Sequence, residues 1–302
     1  MNVYIITSAK FEECYIEEWV QYHLNMGFDK IIINDNNPKD YPYNIKDILK
    51  KYIDDNKVIV ERYYDMHVFP VNLDAPDADI PNIYTWLYNK YKDEFDWVAK
   101  LDIDEYLEIP ETNNDVKKFL LQNKFNNALS IIIPFKRFAI KPEYAYLYEK
   151  TNNIKDKYNI FDCHEFWTWD FKSIIKKSEY LSIIHLHYAY YSIYLNNDKN
   201  LILYIAPDGS PMQQHLFDDV PNYNQNVKDV NFIENTLYNI CFINHYNIKS
   251  IEEQVNHCIK FDTNQYPNWH LYKNQYVSLY KDHQSLFEHP RDLYKIYFMN
   301  ND

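Results

Sequence analysis

The sequence predicts an α/β protein: a helix-flanked sheet in one domain, followed by a helical C-terminal extension. Three observations predict it. Short apolar runs of strand length alternate with amphipathic segments of helical period in the first part of the chain. Polar clusters close three of those runs at their carboxyl ends. The chain of 302 residues is 46% hydrophobic and 25% charged, ample for a real core.

Val3 to Thr7 is a compact apolar strand. Glu12 to Asn25 is a helix with Ile16, Trp19, Val20, His23 and Leu24 on one face, and Gly27 ends it. Lys30 to Asn34 is a second strand, closed by the turn cluster Asp35-Asn36-Asn37-Pro38. Asn44 to Ile53 is a helix, Val58 to Glu61 a third strand, and Asn82 to Glu94 a third helix. Trp97 to Leu101 is the fourth strand and runs into Asp102-Ile103-Asp104-Glu105. This alternation argues for a parallel sheet covered on both faces, with ligands outside the carboxyl ends of its strands. Thr7-Ser8-Ala9-Lys10, Asn34-Asp35-Asn36 and Asp102-Ile103-Asp104 then converge on one edge. Further on the alternation weakens. Leu129 to Pro134 reads as a strand, 140–215 as aromatic-rich short strands and loops, and Ile251 to Lys260 as a helix.

Composition removes several function classes. With only 2 Gly, Gly27 and Gly209, neither a P-loop nor a dinucleotide fingerprint can be built. A net charge of -13 disfavours a general nucleic-acid binder. A polyanionic small ligand stays open, provided a metal or a few placed cations offset the carboxylates. Cys14, Cys163, Cys241 and Cys258 form no Cys-x-x-Cys pair, which suits reduced thiols and a cytoplasmic setting. The N-terminus reads as a strand rather than a signal peptide. No apolar run approaches the roughly 18 residues that span a bilayer. The 31 Tyr go with a general skew toward Asn, Ile, Lys and Tyr, so they are discounted as a functional sign.

Asp102 and Asp104 flank Ile103 at the end of an apolar strand. In extended backbone, residues two apart point the same way, and paired carboxylates raise at least one pKa. A hard divalent cation relieves that strain, and carboxylates suit Mg or Mn. The competing reading is a solvated strand end followed by a helix, with Asp104 as its N-cap.

Several blocks together resemble a known group. They are Ala9-Lys10-Phe11-Glu12 with Tyr15-Ile16-Glu17-Glu18-Trp19-Val20-Gln21-Tyr22-His23, then Gly27-Phe28-Asp29-Lys30 through Asn37. Next come Trp97-Val98-Ala99-Lys100-Leu101-Asp102-Ile103-Asp104-Glu105-Tyr106-Leu107 and Phe171-Lys172-Ser173-Ile174-Ile175. The last is Ile243-Asn244-His245-Tyr246 through Glu253. In this order they resemble glycosyltransferases of the GT-A fold, family-2-like and family-92-like. The resemblance implies a Rossmann-like, nucleotide-binding mixed sheet flanked by helices. It implies a nucleotide-binding half over 1–110, an acceptor-side half over 111–260, and an extension over 261–302. It implies inverting transfer of a sugar from a nucleotide-sugar, UDP-linked, to a hydroxyl of a glycan acceptor, with Mn or Mg. By position, Asp104 is the principal metal ligand, and Asp102 lies nearer the ribose or also on the metal. Asp35 contacts base or ribose. Thr7, Ser8, Lys10 and Glu12 line the nucleotide pocket. Phe11 stands where the group often has Asn, which leaves base recognition open.

His245 suits a third Mn ligand, and Lys249 could reach the diphosphate. The local alternative is a strand end and a capping box formed by Ser250 and Glu253. Inversion needs a general base. Glu165 and Asp170 are alternative candidates in an aromatic segment, where Trp167 and Trp169 suit sugar stacking or core packing. Asp208 is a third, although Asp208-Gly209 is foremost a turn signal. His185 and His187 share a face of an expected strand, as pocket lining or metal ligands. Two other functions compete: a sugar-nucleotide nucleotidyltransferase and a non-catalytic carbohydrate-binding protein. Residues 261–302 are open as an oligomer contact, a membrane-surface contact or a lid.

Overall fold

Val3–Ala9 forms β1, and every residue from Val3 to Thr7 is buried. The computed structural model describes residues 1–10, 12–37, 41–62, 83–140, 158–160, 171–184, 189–191, 202–212 and 236–248. Two compact units divide the chain: residues 1–138 with 160–246, and residues 139–159 with 247–302. The first holds nearly all of the described residues.

In that unit β1 is followed by α1 (Ile16–Asn25), β2 (Lys30–Asp35), α2 (Ile45–Ile48), α3 (Lys50–Asp54) and β3 (Val58–Glu61). Then come α4 (Ile83–Tyr91), β4 (Trp97–Lys100), β5 (Glu105–Glu108), α5 (Val116–Leu120) and β6 (Ala128–Ile140). The remaining strands are β7 (Tyr158–Ile160), β8 (Phe171–Lys176), β9 (Leu181–Ile184), β10 (Ala189–Tyr191), β11 (Ile202–Ile205) and β12 (Phe242–Ile248). The main sheet runs β3-β2-β1-β4-β8-β6-β12-β5. Pairs β1–β2, β2–β3 and β1–β4 are parallel, whereas β4–β8, β8–β6 and β12–β5 are antiparallel. The α/β class expected from the sequence is the one formed, with a mixed sheet.

This sheet must curl. β4 and β5 are joined by residues 101–104 but stand four places apart in the strand order. Four flat strand spacings span about 19 Å. The link closes in a turn instead, with Glu105 N–H donating to the Asp102 carbonyl at 3.0 Å. The extended Asp102–Asp104 segment expected from the sequence is therefore not formed. Nor does a helix follow Asp104: β5 does.

α1 fixes β5 from above. Trp19 Nε1 donates to the Glu105 carbonyl at 2.8 Å, and Tyr22 OH to the Leu107 carbonyl at 2.8 Å. Leu107 N–H donates to His23 Nε2 at 3.4 Å, which leaves Nδ1 to donate to the Trp19 carbonyl at 2.9 Å. The face read as apolar thus also carries polar anchors. The helix begins at Ile16, after a turn in which Tyr15 N–H donates to the Glu12 carbonyl. Gly27 has a φ of 95°, the left-handed region where a Cβ is strained.

The helix expected over Asn44 to Ile53 breaks at Leu49 into α2 and α3, with Asn44 accepting from Lys46 N–H as the N-cap. On one face of the sheet α4 packs Tyr84, Leu87, Tyr88 and Tyr91 against Tyr4, Ile6, Ile32 and Val98. Tyrosines build much of this core, and their hydroxyls find carbonyls: Tyr88 on Ser178, Tyr191 on Leu129, Tyr204 on Ala189. No helix among the described residues is long and apolar enough to cross a membrane.

Candidate functional site

The strand order reverses direction at β1, with β2 on one side and β4 on the other. At such a switch point the loops leaving the carboxyl ends diverge and open a crevice. Register brings Ser8 opposite Asn34, Ala9 opposite Asp35, and Ile6 opposite Lys100. The three polar strand ends therefore lie along one edge.

At the end of β1, Thr7 is fully buried and its Oγ1 has no hydrogen-bond partner among the described residues. Ser8 Oγ accepts from Asn34 Nδ2 at 3.1 Å. Lys10 and Glu12 are half-buried in the loop beyond. At the end of β2, Asp35 is buried. Its Oδ1 accepts from Asn37 N–H at 3.1 Å and Asn37 Nδ2 at 2.8 Å, and its Oδ2 lies 3.7 Å from Arg62 Nε.

The end of β4 is organised differently. Asp102 Oδ1 lies 2.6 Å from Lys100 Nζ and Oδ2 lies 2.6 Å from Lys172 Nζ. Both lysines are buried at 2% exposure, while the Asp102 side chain keeps 36%. Burial would raise the Asp102 carboxyl, but the two ammonium groups outweigh it and hold it well below the ordinary carboxylate range. Burial likewise opposes the charge on Lys100, yet Asp102 and Glu105 raise its pKa overall. Glu105, 1% exposed, accepts from Asp102 N–H through Oε2 at 2.8 Å and sits 3.2 Å from Lys172 through Oε1. Burial, only partly offset by Lys172, raises its carboxyl to about 8. Glu105 is thus a raised carboxyl in this cluster, while Asp102 beside it is lowered.

Beside it, β12 delivers His245. Glu105 and His245 are register partners, and Tyr246 N–H donates to the Asp104 carbonyl at 2.9 Å. His245 Nε2 lies 3.8 Å from Asp104 Oδ1 and 3.9 Å from Glu105 Oε1. One ligand atom from each of Asp104, Glu105 and His245 falls within 4.8 Å of the others. An octahedral ion with bonds of about 2.1 Å sets its ligand atoms about 3 to 4.2 Å apart. Two carboxylates and an imidazole are a donor set of the kind that suits Mn or Mg; the group takes in Asp104 and His245 of the three ligands expected from the sequence, with Glu105 where Asp102 was expected.

Asp208 accepts from Ser210 N–H at 2.9 Å and Ser210 Oγ at 2.6 Å, which is the turn reading of Asp208-Gly209. Glu165, Asp170, Trp167, Trp169, His185, His187 and Lys249 lie outside the described residues. Lys100, Lys172 and Glu105 were not singled out by sequence reasoning. A signal existed for Lys100: a lysine in a four-residue buried strand, two before an aspartate, shares that aspartate's side. Lys172 comes from a strand 70 residues away, and no local pattern pairs it with Asp102.

No family model and no curated protein matches the sequence. Among solved structures, a bifunctional glycosyltransferase, WbbM, is similar at 14% identity and a TM-score of 0.27, over 44% of this chain and 23% of that one. A glycosyltransferase involved in glycosylation of the PBCV-1 major capsid is similar at 12% identity and a TM-score of 0.24, over 59% and 61%. The galactosyltransferase LgtC, solved with donor and acceptor sugar analogues, is similar at 14% identity and a TM-score of 0.27, over 57% of each chain. The matches thus span less than two thirds of the length of those chains. At these scores the likeness carries no residue correspondence.

Proposed function

We propose that the protein is a metal-dependent inverting glycosyltransferase that moves a sugar from a nucleotide-sugar, UDP-linked, to a hydroxyl of a glycan acceptor. The observation that carries this reading is the Asp104–Glu105–His245 group, set just past β4 at the switch point of the sheet. Behind it stands the ordered series of sequence blocks.

In this reading Asp104 and His245 hold the ion, with Glu105 completing the set. An ion bound there would neutralise charge developing on the leaving diphosphate. Thr7 and Ser8 face the nucleotide from β1, and Asp35 orders the β2 loop against which the base or ribose rests. Lys10, Glu12 and Lys249 are the remaining nucleotide contacts. An acceptor hydroxyl loses its proton to a carboxylate as it attacks the anomeric carbon. Glu165 and Asp170 are the base candidates. Asp208 is the weaker third, since its carboxylate serves its own turn.

Isothermal titration with UDP and Mn tests the reading. Metal-dependent binding is expected, and failure to bind any common nucleoside diphosphate with metal would refute it. Asp104→Ala is expected to abolish sugar transfer and donor hydrolysis while keeping the wild-type circular dichroism spectrum. Normal turnover by that variant would remove the metal from the mechanism.

A further inference from the structure

Among the described strands, β5 pairs on one side only, with β12. Its outer backbone groups are taken by α1 instead. Trp19 Nε1 donates to the Glu105 carbonyl at 2.8 Å, and Tyr22 OH to the Leu107 carbonyl at 2.8 Å. Leu107 N–H donates to His23 Nε2 at 3.4 Å. Positions 19, 22 and 23 are spaced i, i+3 and i+4, so one helix face carries all three. Covering an exposed sheet edge accounts for such contacts in general. Trp19 differs from the other two in what it touches, because Glu105 belongs to the group whose ligand atoms come together with those of Asp104 and His245.

The backbone of Glu105 turns away from β12. Its N–H donates to the Asp102 carbonyl at 3.0 Å, and its carbonyl accepts from Trp19. In an antiparallel ladder this is a non-hydrogen-bonded pair, where side chains across the strands come closest. Such a pair suits Glu105 and His245, whose Oε1 and Nε2 lie 3.9 Å apart. It also leaves the position of Glu105 to be set from the outer side, by its own turn and by the indole. The indole is itself fixed. Trp19 is fully buried, its ring centroid lies 4.5 Å from that of His23, and its carbonyl accepts from His23 Nδ1 at 2.9 Å.

We propose that Trp19 is a positioning residue for the metal. Its indole N–H, through the Glu105 carbonyl, holds the Glu105 carboxylate at the separation from Asp104 and His245 that a divalent ion needs. Tyr22 anchors the same strand two residues further on and does not share this role. The inference rests on the metal-dependent reading above and adds to it a contact that orients one ligand.

Titration with Mn, alone and with UDP, followed by the electron paramagnetic resonance signal of free Mn, tests this without turnover. Asp104→Ala sets the background of ions held elsewhere on this acidic chain. Trp19→Phe removes the N–H and is expected to weaken Mn binding about tenfold, the low end of what contacts behind a ligand contribute to a metal site. Tyr22→Phe deletes a bond of equal length to the same strand and is expected to stay within about threefold of wild type, below that range. Urea unfolding is expected to register a loss of stability in both. Unchanged Mn affinity in Trp19→Phe would reduce the indole to a cover for a sheet edge and overturn the proposal. An equal loss of Mn by Tyr22→Phe would overturn it as well, since a general loosening of β5 would then be the cause.

Trp19→Phe also leaves a void at a buried site and can fail to fold. Trp19→3-benzothienylalanine, introduced by stop-codon suppression, keeps the shape of the ring system and lacks the N–H. It serves in place of Trp19→Phe, with the same outcomes. If wild type binds no Mn above background, with or without UDP, the metal-dependent reading and this inference fall together. If wild type binds Mn and the Trp19 variants bind it equally well, the inference falls alone.

Discussion

Two carboxylates, Asp35 buried and Asp102 partly exposed, end neighbouring parts of the same sheet, and they are held by opposite means. Asp35, after β2, is satisfied by the amide and backbone N–H of Asn37 two residues on, with Arg62 at the margin. Asp102, after β4, is held by two buried ammonium groups, one of them 70 residues away. The first arrangement is a local turn that any Asp-x-Asn can adopt. The second exists only once β4 and β8 are paired. Loop order at the β2 end is thus a property of the segment, while charge order at the β4 end is a property of the assembled sheet.

The sharpest way to break that contrast is Lys172→Met. It leaves Asp102 with one cation and Glu105 without the ammonium 3.2 Å from its Oε1. Removing one member of a buried ion group is expected to cost about 3 kcal/mol, toward the low end of the range because Asp102 is partly exposed. Urea unfolding followed by circular dichroism measures this. A cost below about 1 kcal/mol, as for a surface pair, would mean that the β4 end is not held by charge.

Glu105→Gln has the next largest effect, and its signature is a pH dependence. The Glu105 carboxyl is raised from 4.5 to about 8, so the folded chain keeps a proton that the unfolded chain releases. That contribution to stability is complete below the unfolded pKa of about 4.5 and is lost as pH rises through about 8. In metal-free buffer with chelator, wild-type Tm should fall over this window relative to Glu105→Gln. Parallel Tm curves for the two proteins would show that Glu105 is ionised throughout.

These two ends also mark what the sequence could tell. Strand–helix alternation showed the parallel part of the sheet, because β1 to β4 are joined by local segments with clear period. The ends of β1, β2 and β4 were legible as polar clusters, since polar residues interrupt buried runs there. The antiparallel part was less so. β5 was hidden because Asp102 to Glu105 form a turn, and a turn of mixed Asp, Ile and Glu has no glycine or proline to announce it. His23 was counted with an apolar helix face, although it is a hydrogen-bonding anchor for Leu107. Lys172 sits in an apolar strand whose only sign was an out-of-place charge, and its partner could be found only in three dimensions.

The smallest effect is expected from Asn37→Ala, at the β2 end. The substitution deletes the bond from Nδ2 to Asp35 at 2.8 Å but keeps the one from the backbone N–H at 3.1 Å. Asp35 Oδ1 therefore retains a donor, and Oδ2 still faces Arg62. A charge-assisted hydrogen bond with a second donor in reserve is worth about 1 to 1.5 kcal/mol. Urea unfolding should register that loss and no more. Because the arrangement is local, Asn37→Ala should leave the effect of Lys172→Met unchanged, so the two costs should add within about 0.5 kcal/mol. A coupling larger than that would mean that the two strand ends form one network across β1, and the contrast between a local and an assembled carboxylate would no longer hold.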